Sequence, residues 1–205
     1  HSFFLDKHEK ITASKNAIKL LNPRGPDFND LWICNDENLI FSHNRLSILD
    51  LSEKGNQPML SKTKNLVIVF NGEIYNHLYL RKKIYEENNF NEWNGTSDTE
   101  TLIQSIEFWG IEKTLQEING MFSFAVWDKK KKFLYLSRDR FGEKPLYYGW
   151  INQNKSFVFG SELIFDKLFK NIEFLINENA LKDLLYLNYV NKNYSIFKNI
   201  FKVSP

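Results

Sequence analysis

The sequence predicts an α+β fold, a four-layer α/β/β/α sandwich built from two mainly antiparallel sheets. Three observations carry that reading. The run Leu66-Val67-Ile68-Val69-Phe70 is short, wholly apolar and rich in β-branched residues, as a strand buried on both faces requires. The second half is rich in paired strand-like segments, Met121 to Trp127 with Lys132 to Ser137, and Leu146 to Trp150 with Ser156 to Gly160. Helical stretches precede and separate these strand sets, which suits two sheets packed face to face with helices on the outside.

Each element has a local reason. His1 to Leu5 reads as the tail of a strand. Ile11 to Leu21 spaces Ala13, Ala17, Ile18, Leu20 and Leu21 as a short amphipathic helix. Two prolines and a glycine make 22–27 irregular. Leu31 to Cys34 and Asn38 to His43 form a hairpin across residues 35–37; Arg45 to Leu49 continues as strand, and Ser52 to Ser61 is loop. After Phe70 the strand is expected to stop at Asn71-Gly72, a pair suited to a positive-φ turn. Leu78 to Glu87 is helical. Ser97 or Asp98 caps a further helix through Leu102, Ile103, Ile106 and Trp109, which Gly110 ends. Asp128-Lys129-Lys130-Lys131 is a solvated hairpin turn rather than a basic binding patch, and Glu162 to Phe169 and Glu178 to Leu187 are helices.

Composition narrows the function. At 205 residues the chain is one domain, large enough to bury a core without staples, and 18 Phe residues suit a packed sheet interior. A net charge of +2 argues against nucleic acid or an anionic membrane as partner. The single cysteine, Cys34, cannot form an internal disulfide and sits in an apolar run, so it reads as core in a reducing, cytoplasmic setting. No apolar run approaches the ~18–20 residues of a membrane span. The four histidines lack metal-ligand spacing, and no Walker or G-x-G-x-x-G loop is present, so neither a metal nor a nucleotide is expected in this domain.

Asn71-Gly72-Glu73 would place a side-chain amide, an unshielded backbone N–H and a carboxylate together, chemistry suited to a zwitterionic ligand and an oxyanion. A hairpin turn with a solvated Glu73 is the alternative. Arg45 lies on a largely apolar strand, where a guanidinium needs a counter-charge, and Asp98 sits at a helix start that holds an anion well. Arg45 for a carboxylate, with Asp98 or Glu73 for an ammonium, would form a recognition set for a free amino acid. An internal Arg45–Asp98 ion pair without a ligand explains the same residues.

The motifs Arg24-Gly25-Pro26-Asp27, Arg45-Leu46-Ser47-Ile48-Leu49-Asp50-Leu51, Gln57-Pro58-Met59, Asn71-Gly72-Glu73-Ile74-Tyr75-Asn76, Ser97-Asp98-Thr99-Glu100, Gly120-Met121-Phe122 and Arg138 through Tyr148 occur in that order. Together they closely resemble the glutaminase half of glutamine-dependent asparagine synthetases, class II amidotransferases of the N-terminal-nucleophile hydrolase type. The resemblance implies that Arg45 holds the α-carboxylate of L-glutamine and that Asp98, helped by Glu73, holds its α-amine. It implies that the Asn71 amide and the Gly72 N–H form the oxyanion hole, with Arg24, Asp27 and the loop from Arg138 to Lys144 as scaffold. It also implies a C-terminal synthetase domain using ATP and Mg²⁺ on aspartate, and relatives often dimerise, which leaves a homodimer open.

One departure stands out. The family nucleophile is a cysteine at the mature N-terminus in a Cys-Gly-Ile strand, and this chain starts at His1 with no such motif before Arg24. An incomplete chain, inactive as it stands and lacking the synthetase domain after Pro205, is therefore expected. Pro23 also replaces the usual histidine before Arg-Gly-Pro-Asp. Two alternatives remain: a nucleophile-free binding or regulatory module, and an amidotransferase for another carboxylate acceptor in sugar or secondary-metabolite pathways.

Overall fold

Asp6 and Glu9 start the first helix. The Asp6 carboxylate accepts the Glu9 N–H at 2.7 Å, and Glu9 accepts the Asp6 N–H at 2.9 Å. This capping box starts α1 (Lys7–Leu21) ahead of the expected Ile11. The computed structural model describes residues 5–34, 36, 38–151, 153, 155–191 and 193–205. The strand tail expected over His1 to Phe4, and parts of the turns at 35–37 and 152–154, fall outside the described residues.

β1 (Phe28–Cys34) and β2 (Leu39–Arg45) pair antiparallel from Phe28↔Arg45 to Cys34↔Leu39. β2 stops at Arg45 instead of running on to Leu49, because the chain curls back so that Asp50 and Ser52 offer their carbonyls to the Arg45 guanidinium. β3 (Met59–Leu60), β4 (Leu66–Ile74), β5 (Gly120–Asp128) and β6 (Phe133–Arg138) form an antiparallel sheet in the order β3-β4-β5-β6. α2 (His77–Asn88) and α3 (Asp98–Glu117) lie between β4 and β5 in the chain. β7 (Tyr147–Ile151), β8 (Ser156–Gly160), α4 (Phe165–Leu168), α5 (Glu178–Leu187) and β9 (Ile200–Lys202) complete the fold, with a second antiparallel group ordered β8-β7-β9.

The β4–β5 ladder shows why the central sheet is buried on both sides. Leu66, Ile68 and Phe70 of β4, with Phe122, Phe124 and Val126 of β5, pack on Leu80 of α2 and Leu102, Ile103 and Ile106 of α3. The alternate residues Val67, Ala125 and Trp127 face Phe41 of β2, with Val69 and Phe159 packed beside them. Each fully buried aliphatic or aromatic side chain contributes roughly 1.5–3 kcal/mol. α1 packs on β2, where the Asn44 amide donates to the Ile18 carbonyl at 3.0 Å. The layers therefore run α2/α3, central sheet, second strand layer, α1. That second layer is in two pieces, β1–β2 and β8–β7–β9, where one sheet was expected; Phe41 and Phe159 meet edge to face across them, ring centroids 5.4 Å apart.

Three further expectations change. Asn71-Gly72 is not a turn: β4 runs through it, with Gly72 opposite Phe122 and Ile74 opposite Gly120. Gly110, at φ 79°, breaks α3 as expected, but a second helical segment continues to Glu117. Only Phe165–Leu168 of the expected Glu162–Phe169 helix forms, and Glu162 is held instead by Arg24 at 2.7 Å.

Candidate active site

Arg45, Asn71, Gly72, Glu73 and Asp98 all line one cavity of about 750 Å³ between the central sheet and the second strand layer. Five residues from three sequence segments thus reach one place.

Arg45 is the last residue of β2 and is only 7% exposed. Its Nη1 donates to the Ser52 carbonyl at 2.7 Å and to the Asn56 amide oxygen at 2.8 Å, and its Nη2 donates to the Asp50 carbonyl. Gly55 lies against the guanidinium so closely that a Cβ there would sit 2.2 Å from Nη2. Among the described residues no carboxylate is within ion-pair distance of Arg45, so the expected alternative of an Arg45–Asp98 pair does not form. Two main-chain carbonyls and the Asn56 amide oxygen hold the cation.

Asp98 opens α3, whose N-cap Ser97 accepts the Glu100 N–H at 3.2 Å. One Asp98 oxygen accepts the Ile74 N–H at 2.8 Å. Burial pushes the Asp98 carboxyl up, the Ile74 bond opposes this, and the nearby Glu73 charge adds to the rise. An ammonium arriving beside Asp98 and Glu73 would relieve both effects.

The backbone of β4 supplies the donor. In a ladder, successive residues point their N–H groups to opposite edges. The Phe70 N–H points away from β5 and donates to the Gln57 side-chain oxygen at 2.6 Å. The Ile74 N–H points the same way, to Asp98. By that alternation Gly72 between them also presents its N–H to this outer edge, flanked by Gln57 on one side and Asp98 on the other. Gly72 must be glycine: its φ is 152°, and a Cβ would fall 2.1 Å from the Met121 carbonyl oxygen of β5. By strand alternation Asn71 projects into the cavity on the side of Val67 and Val69. Its amide carries no hydrogen bond to the described residues.

Three supporting residues escaped the sequence reading. Gln57 spans Phe70 N–H, Phe70 carbonyl (3.2 Å) and Thr99 hydroxyl (3.4 Å), tying β4 to the first turn of α3. Asp50 accepts the Ser52 N–H and hydroxyl on one oxygen and the Thr96 N–H at 2.7 Å on the other, and the Ser52 hydroxyl holds its carboxyl below the usual range. His43 donates through Nε2 to the Phe70 carbonyl at 3.1 Å, and burial pushes its pKa down to about 4, so the ring is neutral. Gln57 and Asp50 lie inside conspicuous motifs, but nothing in a motif says which backbone group a buried amide will meet.

The residues around the site tie loops to strands. Asp27 accepts the Ser47 N–H at 2.7 Å. Asp139 accepts four backbone N–H groups, from Phe122, Phe141, Glu143 and Lys144, and Arg138 donates to the carbonyls of Lys144, Gly142 and Val203.

A guanidinium with no carboxylate partner among the described residues, two acids and the Asn71-Gly72 stretch of β4 thus line one cavity. The chain belongs to the glutamine amidotransferase domain family, which matches residues 2–205. It is 35% identical over 200 residues to asparagine synthetase [glutamine-hydrolyzing] 3 of Bacillus subtilis, covering 96% of this chain and 31% of that one. It is 34% identical over 200 residues to asparagine synthetase [glutamine-hydrolyzing] 1 of the same organism, covering 98% and 30%. The chain thus spans about a third of these relatives' length. Among solved structures, glutamine phosphoribosylpyrophosphate amidotransferase from B. subtilis aligns over 66% of this chain and 30% of that chain, with 20% identity and a TM-score of 0.50, and so shares the fold. The α+β sandwich with antiparallel sheets is the fold this chain shares with that amidotransferase. No helix of the described residues is long and apolar enough to cross a membrane.

Proposed function

We propose that this chain binds L-glutamine and forms the glutaminase half of an asparagine synthetase-like amidotransferase. Arg45 takes the α-carboxylate, Asp98 and Glu73 take the α-ammonium, and the side-chain amide lies against Asn71 and Gly72. The single observation that carries the reading is the Gly72 N–H, left on the β4 edge between Gln57 and Asp98 and directly beside the unengaged Asn71 amide.

In the reaction proposed, a cysteine thiolate attacks the glutamine Cδ and the carbonyl oxygen becomes an oxyanion. The Asn71 amide and the Gly72 N–H stabilise it, each donor supplying ~3–4 kcal/mol. Collapse expels ammonia, which takes its extra proton from the nucleophile's own ammonium, and water then hydrolyses the thioester to glutamate. The cavity itself suggests how such a cysteine is delivered. Among the described residues β2 pairs only with β1 and β8 only with β7, and both free edges border the cavity. His43 Nδ1, Trp127 Nε1 and Ser156 Oγ, all from cavity-lining residues, are buried without hydrogen-bond partners among the described residues. An extended segment carrying the cysteine between β2 and β8 would meet these polar groups. The same reading extends to a cytoplasmic location and to a second domain that consumes the ammonia on aspartate with ATP and Mg²⁺.

The test is calorimetric titration with L- and D-glutamine, followed by a glutaminase assay on the chain led by a Cys-Gly-Ile segment. Preferential L-glutamine binding and glutamate release are expected. A folded sample that does neither ends this reading.

A further inference from the structure

We propose that Asp50 is a positioning residue that fixes the separation between Arg45 and Asp98, so that the site favours ligands carrying both a carboxylate and an α-ammonium. The inference rests on the glutamine-binding reading and adds to it the origin of the site's two-point selectivity.

Asp50 touches both halves of the recognition set through different atoms. Its main-chain carbonyl accepts Arg45 Nη2, and its carboxylate accepts the Thr96 N–H at 2.7 Å, two residues before Asp98. The other carboxylate oxygen accepts the Ser52 N–H at 2.9 Å and the Ser52 hydroxyl at 2.6 Å, while the Ser52 carbonyl accepts Arg45 Nη1 at 2.7 Å. Both terminal nitrogens of the guanidinium are therefore held by backbone that this one carboxylate orders. The carboxylate makes no ion pair with Arg45; one oxygen holds the Ser52 turn and the other the turn entering α3.

That turn is gripped from its other side too. Arg81 donates to the carbonyls of Gly95 and Ser97, each at 2.9 Å. Gly95 lacks a side chain where it faces Asp50: a Cβ would lie 2.5 Å from the carboxylate oxygen that takes the Thr96 N–H. Held between Asp50 and Arg81, the segment cannot shift Asp98 without also disturbing the loop that carries Arg45.

The test compares three ligands on the chain: L-glutamine, its analogue lacking the α-amine (glutaramic acid), and its analogue with the α-carboxylate amidated. Asp50→Asn keeps the shape but turns an amide donor toward the Thr96 N–H. The expected result is a loss of L-glutamine affinity of about tenfold or more, the range for one charge-assisted bond, with either one-charge analogue changed less than about twofold. Equal losses for all three ligands, or no loss, would overturn the proposal. Should Asp50→Asn fail to fold, Gly95→Ala pushes the same carboxylate away from the opposite side and should give the same selectivity signature. A ligand-free measurement accompanies these: amide exchange at Thr96, Ser97 and Asp98 should quicken in either variant, and unchanged exchange overturns the proposal. A wild-type chain that binds none of the three ligands while showing the exchange effect would end the glutamine reading and leave the Asp50 brace standing.

Discussion

Replacing Gly72 by alanine tests how tightly the proposed oxyanion strand is specified. Two effects act together. A side chain at φ 152° is strained wherever it occurs, at about 1–3 kcal/mol. The added Cβ would also lie 2.1 Å from the Met121 carbonyl oxygen and 2.6 Å from the Phe122 Cα, whereas ordinary contact begins at 3.4 Å. Both neighbours are backbone of β5, so no side chain can swing aside, and β4 and β5 must separate locally by more than 1 Å. Ladder hydrogen bonds near 2.9 Å do not survive that displacement. The expected cost is therefore about 3–5 kcal/mol, with a melting temperature lower by ~10 °C for a chain of this size. Urea unfolding followed by circular dichroism, comparing wild type with Gly72→Ala at pH 7, measures it. A cost below about 1 kcal/mol would refute the close β4–β5 approach on which the donor geometry depends.

His43 gives a pH signature. Its folded pKa, about 4, lies below the ordinary 6.5, so stability is fully present above pH 6.5 and is lost as pH falls toward 4. The full loss is about 3 kcal/mol, and His43→Gln should flatten that part of the stability–pH curve. Asp98 has the opposite sign. Its folded pKa is raised, so its contribution favours the fold at low pH and fades as pH rises through the elevated value. Asp98→Asn, which can still accept the Ile74 N–H, should unfold at higher urea than wild type at pH 7 while losing L-glutamine affinity in calorimetry. Gly110→Ala adds no steric contact but forces alanine to φ 79°, so thermal unfolding should show a loss of about 1 kcal/mol with glutamine binding unchanged.

The sequence was most legible where burial dictates residue type. Leu66 to Phe70 could only be an interior strand, and α5 and β8 have the predicted bounds because turn residues flank them on both sides. It was least legible where a tertiary partner overrides a local signal. Asn71-Gly72 carries the strongest local turn pair in the chain, yet the β5 backbone draws it into the ladder. Ser47 to Leu49 looks like strand, yet Arg45 pulls the following carbonyls around itself. The start of α1 was readable from Asp6 and Glu9, whose spacing is that of a capping box. As for the site, the residue types disclosed that a cation, two acids and an amide belong together. They did not disclose that Arg45 and Asp98 avoid each other, or that Gln57, Asp50 and His43 hold the frame, because each of those depends on a backbone partner distant in the chain.

The outer edge of β4 has one more consequence. A strand edge with open N–H groups invites pairing with a second molecule, and proteins usually block it with charge, a bulge or a covering segment. Here β3 covers the first part of that edge, and single side chains, Gln57 and Asp98, stopper it at Phe70 and Ile74. Among the described residues, nothing plugs the rung at Gly72 between them. Safeguarding against self-association and presenting a lone reactive donor are thus one arrangement, and a change that unseats Gln57 should register as clumping at high concentration as well as a blunted site.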